Sequence, residues 1–250
     1  MHSQFSSLRT IILAAGEGKR MLPLTKSTPK PLMPIENNNI LSRLIRQVLA
    51  RTSGEVSVVV GHAKELVIQE VTSRFGQRVR IVENVNYHND VNIGSLMLAL
   101  KDGKEPFILF EADCVFDDEA MDIFFNPEYV NNSCWYTLGP FLSHQVGGIL
   151  KSNDFNKVID LRIVEKYDDC YSSYRKMVGV FKVGKNEILE YIKLLKEEFK
   201  YNTRQYYHAP WIKNINSFNA LEVELDQFNV CSFNTPKEYM EVLQIFKENV

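Results

Sequence analysis

The stretch Ile11-Ile12-Leu13-Ala14-Ala15-Gly16-Glu17-Gly18-Lys19-Arg20 runs from apolar residues into a glycine-rich turn and two cations. Lys30 follows ten residues after Arg20, between Pro29 and Pro31. Glycine lets a backbone bend and approach an anion, consecutive N–H groups can converge on its oxygens, and Lys and Arg neutralise the rest. The chemistry that suits this pattern is polyphosphate binding. Two common glycine loops do not fit it. A dinucleotide turn needs a third glycine three residues after Gly18, where Met21 stands. A Walker-type loop needs Gly-Lys-Ser/Thr five residues after its first glycine. Here Gly18-Lys19 comes too early, and Arg20 replaces the hydroxyl.

Acids supply the second chemical signal. Asp113 closes Phe110-Glu111-Ala112-Asp113, at the end of an apolar run. A hard cation such as magnesium needs only one or two carboxylates when substrate phosphates and water complete its shell. Asp117 and Asp118 are better placed than Asp113 to cap the helix expected there. Glu222, Glu224 and Asp226 alternate along a later segment, either as further metal oxygens or as the solvated face of a strand. The five histidines have no metal-ligand spacing, and the four cysteines, at 114, 134, 170 and 231, form no Cys-x-x-Cys pair. Neither a structural zinc site nor a redox motif is indicated, and a reduced, cytoplasmic setting is the expectation.

These residues need strands that end side by side. Ile11–Ala14, Glu55–Val60, Val79–Val82 and Phe107–Phe110 read as buried strands. Helical spacing of Leu41, Leu44, Ile45, Val48 and Leu49, then of Val67, Val71 and Phe75, and a short helix at 94–100, separate them. That alternation predicts an α/β fold with a mixed, mostly parallel sheet and helices on both faces, in which ligands bind at the carboxyl ends of the strands. Beyond it, Val146–Lys151 and Lys157–Ile163 flank Asn153-Asp154 as an antiparallel hairpin, and Met177–Val183 is a further strand. Ile188, Ile192, Leu195 and Phe199 mark an amphipathic helix, and Thr235-Pro236-Lys237-Glu238 opens the last one as a capping box. With 250 residues, 45% apolar, 24% charged and a net charge of −2, one domain over 1–250 is expected, and no nucleic-acid or membrane partner. No apolar run approaches ~20 residues, and the polar start Met1 to Arg9 does not make a secretory leader.

Leu13 to Arg20 with Pro29-Lys30-Pro31-Leu32 resembles, without a gap, the Leu-Ala-Ala-Gly-x-Gly-x-Arg and Pro-Lys-Pro-Leu signature of the nucleotidyltransferases. The resemblance implies a glycosyltransferase-A-like fold, with a nucleotide-binding half at about 1–130 and an acceptor-binding half with antiparallel strands at about 131–250. It makes Leu13, Ala14, Ala15, Gly16, Glu17, Gly18, Lys19, Arg20 and Ala112 nucleotide-binding, and Arg20, Lys30 and Asp113 catalytic. It also implies a Mg2+ cofactor on Asp113 and on Asn234, which stands where many relatives carry Asp. Asn92-Ile93-Gly94-Ser95-Leu96 is similar to a segment of phosphocholine and phosphonate cytidylyltransferases in which Asn and Ser lie near the base and acceptor; otherwise Asn92 starts a helix and Ser95 packs. On the acceptor side, Glu165-Lys166 resembles a pair whose lysine contacts the reacting phosphate, and Gly179 matches a glycine approached by the acceptor. His208 replaces the Asp of choline-phosphate enzymes. Trp135, Tyr136, Tyr206, Tyr207 and Trp211 could wall an aromatic box for an ammonium.

The function these readings imply is a magnesium-dependent cytidylyltransferase that joins CMP from CTP to a small phosphorylated, phosphonate or phosphoramidate acceptor, phosphoglutamine for example. Pyrophosphate is released. A monomer or homodimer serving surface-polysaccharide synthesis is expected. The alternatives are a sugar-1-phosphate nucleotidyltransferase using UTP, GTP or dTTP, and a catalytically silent nucleotide-binding regulatory module.

Overall fold

The computed structural model describes residues 7–101 and 103–247, so most of the polar start lies outside it. Strand β1 (Arg9–Ala14) leads through the glycine loop to the short strands β2 (Pro34–Ile35) and β3 (Asn38–Asn39), which pair with each other. Helix α1 (Ile40–Leu49) follows, then β4 (Val56–Val60), α2 (Lys64–Phe75), β5 (Val79–Glu83), α3 (Ile93–Leu100) and β6 (Phe107–Glu111). A second small pairing begins with β7 (Cys114–Phe116) before α4 (Asp118–Phe124). The remaining chain forms β8 (Cys134–Pro140), β9 (Gly147–Ser152), β10 (Val158–Val164), β11 (Arg175–Val183), α5 (Ile188–Tyr201), α6 (Ala209–Lys213), β12 (Leu221–Glu224), β13 (Val230–Ser232) and α7 (Pro236–Lys247).

The main sheet runs β10-β9-β11-β6-β1-β4-β5, with β8 beside β11 and β12 beside β8. Strands β5, β4, β1 and β6 are parallel, as the alternating pattern predicts, and β11 joins β6 antiparallel to begin the extension. Successive residues of the central strands serve opposite cores. Ile12, Val58, Ile108 and Phe110 pack with α1, α2 and α4 on one face. Ile11, Val59, Phe107 and Leu109 pack with α3, α5 and α6 on the other. A strand buried on both faces must be apolar, which is why β1, β4 and β6 read as near-continuous runs, while the edge strand β5 admits Arg80 and Glu83. The observed hairpin strands begin and end one residue later than the pattern predicts. Strand β8, by contrast, was not foreseen, and β12 is the strand that the alternation of Glu222 and Glu224 allows.

Helix α7 belongs to neither face. Its Tyr239, Val242 and Phe246 form a third core with Met21, Met33, Ile35, Ile40, Val115 and Phe233, beneath the segment that follows the glycine loop. The expected capping box is formed: Glu238 N–H donates to Thr235 Oγ1 at 3.3 Å, while Glu238 Oε2 accepts from Asn234 N at 2.6 Å and Thr235 N at 3.0 Å. Asp117 caps α4 through Ala120 N at 2.8 Å, leaving Asp113 free of that task.

Candidate active site

Strands β1 and β6 lie in register with Leu13 opposite Glu111, so the glycine loop and the Ala112-Asp113 turn leave the sheet together. Ala112 N donates to the Leu13 carbonyl at 3.0 Å and fixes that junction. Gly18 adopts φ +63°, in the left-handed region, and a Cβ there would meet Lys30 Cβ at 3.2 Å. A Cβ on Gly16 would meet nothing within 4 Å, so this side of the loop is open. No acceptor among the described residues takes the backbone N–H groups of Gly16, Glu17, Gly18 or Lys19. Lys19 itself points outward and pairs with Glu17, which lowers the Glu17 pKa.

Four side chains from three distant segments converge beside this loop. Lys30 Nζ donates to Asp113 Oδ2 at 2.6 Å and to Asn234 Oδ1 at 3.1 Å. Arg20 Nη2 donates to the same Asn234 oxygen at 2.7 Å. The Lys30 ammonium also lies 5.0 Å from the Phe233 ring centroid, a cation–π distance. Sequence reading named Arg20, Lys30, Asp113 and Asn234, and the fold brings all four together. The described residues gather no group of three His, Cys, Asp or Glu ligands. The oxygens available to a hard cation are therefore those of Asp113 and Asn234, which already share one cationic partner in Lys30. Glu222, Glu224 and Asp226 do not contribute. Arg175 pairs with all three, and Glu222 is buried and accepts from the hydroxyls of Thr137 and Ser152. Glu224 and Asp226 are exposed, as the solvated-face reading expects, whereas Glu222 turns inward.

A second group lies across Glu111. Glu111 Oε1 accepts from Tyr207 OH at 2.8 Å. Burial, then the charge of Asp113, raises its pKa to about 7. Gly179 on β11 sits against it: a Cβ there would lie 2.7 Å from Cys114 Sγ and 2.8 Å from Glu111 Oε2. Lys176 Nζ donates to the Gly148 and Met177 carbonyls at 3.1 and 3.3 Å, and burial lowers its pKa. His208 is 7% exposed, and its Nδ1 has no partner among the described residues. Burial, assisted by the Lys176 charge, holds its pKa down to about 3, so the imidazole is neutral.

The residues expected on the acceptor side lie in three different settings. Lys166 is exposed and makes no side-chain hydrogen bond or ion pair among the described residues, whereas the charge of Lys176 acts on both Glu111 and His208. Trp211, Trp135, Tyr136 and Tyr207 are at most 1% exposed, so they form core rather than an open box. Tyr206 alone is on the surface, lining a cleft of about 410 Å³ with Arg162, Tyr171, Gln205 and Lys213. Ser95 is likewise buried. Its hydroxyl donates to Asp90 Oδ2 and accepts from Asn84 Nδ2, both at 2.9 Å, which anchors the start of α3. Asn92 Oδ1 accepts from Tyr207 N at 2.9 Å and so ties α3 to the Tyr207-His208 segment. Glu111 and Lys176 were not foreseen. Gly147, where a Cβ would lie 3.4 Å from Lys176 Nζ, was the only signal for it.

A family model described as nucleotidyl transferase matches residues 9–194. The chain is 33% identical over 180 residues to a 2-aminoethylphosphonate cytidylyltransferase of Lancefieldella rimae, covering 71% of this chain and 68% of that protein. It is 28% identical over 174 residues to the bifunctional protein GlmU of Methanococcus maripaludis, covering 69% of this chain but only 39% of that longer protein. Among solved structures, the CTP:phosphocholine cytidylyltransferase of Streptococcus pneumoniae shares the fold, with a TM-score of 0.79 at 21% identity, over 96% of this chain and 99% of its own.

Proposed function

The chain belongs to the nucleotidyl transferase family, and from that premise we propose that it is a cytidylyltransferase, moving CMP from CTP to a small acceptor that bears a phosphate, phosphonate or phosphoramidate. The observation that carries transferase chemistry is the convergence of Arg20, Lys30, Asp113 and Asn234 beside an open glycine loop. The lean to cytidine follows from the relative that acts on 2-aminoethylphosphonate.

In this reaction an acceptor oxygen bonds to the α-phosphorus in line while the bond to the α–β bridging oxygen breaks, and pyrophosphate leaves with that electron pair. The acceptor oxygen is already anionic, so no general base is required, and neutral His208 is not asked to be one. The chain's task is positioning and charge stabilisation. The N–H groups of Gly16 to Lys19 and the cations Arg20 and Lys30 hold the leaving phosphates. Lys30 has three donors and spends two on Asp113 and Asn234, which leaves the third for a phosphate oxygen. Asp113 and Asn234 present one carboxylate and one amide oxygen, a hard donor set that fits magnesium with phosphates and waters completing the shell. When bound there, the ion neutralises charge at the α-phosphate.

The test is pyrophosphate release from CTP, UTP, GTP and dTTP, each with phosphocholine, 2-aminoethylphosphonate, phosphoglutamine and hexose-1-phosphates. Release confined to CTP with a non-sugar acceptor is the expected result. Release only from UTP, GTP or dTTP with a hexose-1-phosphate establishes the sugar-nucleotide alternative, and none from any pair leaves a silent nucleotide-binding module.

A further inference from the structure

We propose that Glu111, Lys176 and His208 form the acceptor subsite, in which Lys176 receives the acceptor's anionic oxygen and the rest of the acceptor is held by hydrogen bonds rather than against an aromatic face. The assignment rests on the cytidylyltransfer reading and specifies its second substrate as one whose head group carries N–H or O–H donors. Quaternary ammonium heads are thereby disfavoured.

Lys176 carries the first part. Its ammonium is largely covered by protein, yet no carboxylate among the described residues pairs with it within 4 Å. Two of its three donors go to the carbonyls of Gly148 and Met177, and the third is unspent. A desolvated ammonium in this state gains most from an anionic oxygen, because low polarity strengthens the pairing that water would otherwise screen. Its location is the right one. Glu111 feels the charges of Asp113 and Lys30 and also that of Lys176. β11 carries both Lys176 and Gly179, and a Cβ on Gly179 would lie 2.8 Å from Glu111 Oε2, so an acceptor anion at Lys176 would share this stretch of β11 with the acid that leads into Ala112-Asp113. Glu111, Lys176 and Gly179 all keep part of their surface open, and Gly179 contributes no side chain to fill the space.

The head group follows from what is left unpaired. His208 Nδ1 is buried without a partner, a condition that costs free energy unless a ligand relieves it. Glu111 Oε2 accepts no hydrogen bond from the described residues, while Oε1 is engaged by Tyr207. Both positions ask for hydrogen-bonding groups. The rings nearby are committed elsewhere: Trp135, Phe181, Tyr207 and His208 form a cycle of near-parallel contacts with centroids 4.2–5.2 Å apart. None of the four is more than 7% exposed. Those four rings offer a trimethylammonium no open face, and the exposed Tyr206 meets His208 edge-on and lines the cleft with Arg162 and Lys213.

The experiment saturates the enzyme with a non-hydrolysable CTP analogue and titrates in 2-aminoethylphosphonate or its N-trimethyl counterpart, which has the same anion and the same positive charge. The primary amine should bind at least about tenfold more tightly, the scale of one hydrogen bond to a charged group. Lys176→Met should weaken both acceptors by roughly 10- to 100-fold, with analogue affinity unchanged and the thermal midpoint not lowered. Lys176→Gln, which keeps polar contacts to the two carbonyls, should show the same loss. Absence of analogue binding overturns the cytidylyltransfer reading and this subsite with it. Analogue binding with no acceptor binding, with acceptor affinity intact in both Lys176 variants, or with the loss carried by Lys166→Met overturns the subsite alone. Equal affinity for the two amines overturns the head-group assignment.

Discussion

Asn234 does work at its position that a carboxylate would do differently. Its single amide oxygen accepts from both Arg20 and Lys30, drawing the two cations together without adding negative charge. Asp113 is then the sole carboxylate in contact with Lys30, and its loss should be felt most. Asp113→Ala is expected to lower magnesium-dependent pyrophosphate release by roughly 10²–10³ or more, as removal of other preorganised electrostatic groups does. Activity near that of the parent would show that the charge is held elsewhere. Asn234→Asp should retain turnover and respond to less magnesium, a shift read from the metal titration of initial rate. His208 gives a pH test. Its pKa is about 3 in the folded chain against an ordinary value of about 6.5. Between these values the unfolded chain binds the extra proton, so this group's contribution is complete above pH 6.5 and is lost as pH falls towards 3. His208→Phe keeps an aromatic ring in the stack and removes the titration. Its thermal midpoint should fall less steeply than the parent's from pH 6.5 to 4, and parallel curves would refute the assignment.

At the scale of elements, the legible parts of this chain are those set by local pattern. The buried runs of β1, β4 and β6 announce themselves because both faces are covered, and Thr235-Pro236-Lys237-Glu238 announces α7 because a capping box is four residues long. Strand β12 is legible only in company. It lies parallel to β8 with Leu221 opposite Cys134, a pairing fixed by the long-range placement of β11 and not by either segment. Lys176 hid for a similar reason: Arg175-Lys176 lies between β8 and β9, a placement no local pattern announces, and only Gly147 beside its ammonium marks that it is covered. The capping box also does more than start a helix, since Glu238 holds the backbone of Asn234. Glu238→Ala should cost about 1 kcal/mol of stability, as lost caps do, and should lower turnover more than the stability loss explains. Turnover unchanged at a temperature where the variant is fully folded would separate the cap from the site. Gly179→Ala tests the other wall. The added methyl would lie under 3 Å from Cys114 and Glu111, so acceptor KM should rise with little change in KM for CTP.

At the scale of the whole molecule, one sheet carries both groups of candidate residues. The parallel strands end at the glycine loop and Asp113, while β11 brings Lys176 and Gly179 alongside through its pairing with β6 and β9. No described helix is long and apolar enough to cross a membrane. Substrate should stabilise this arrangement by mass action: CTP at 100 times its dissociation constant should add about 2.7 kcal/mol to unfolding, seen as a higher thermal midpoint that Lys30→Ala largely abolishes. A midpoint unmoved by CTP would deny the loop its ligand. The third core, where α7 seals the region after the glycine loop, bears on the order of events in folding. Arg20 meets Asn234 across 214 positions of chain and Lys30 meets it across 204. Contacts that distant form late, after nearer ones have shortened the effective loop. The central strands should therefore regain their ellipticity on refolding before the protein regains the ability to bind CTP, and the interval between the two signals is the time α7 takes to dock.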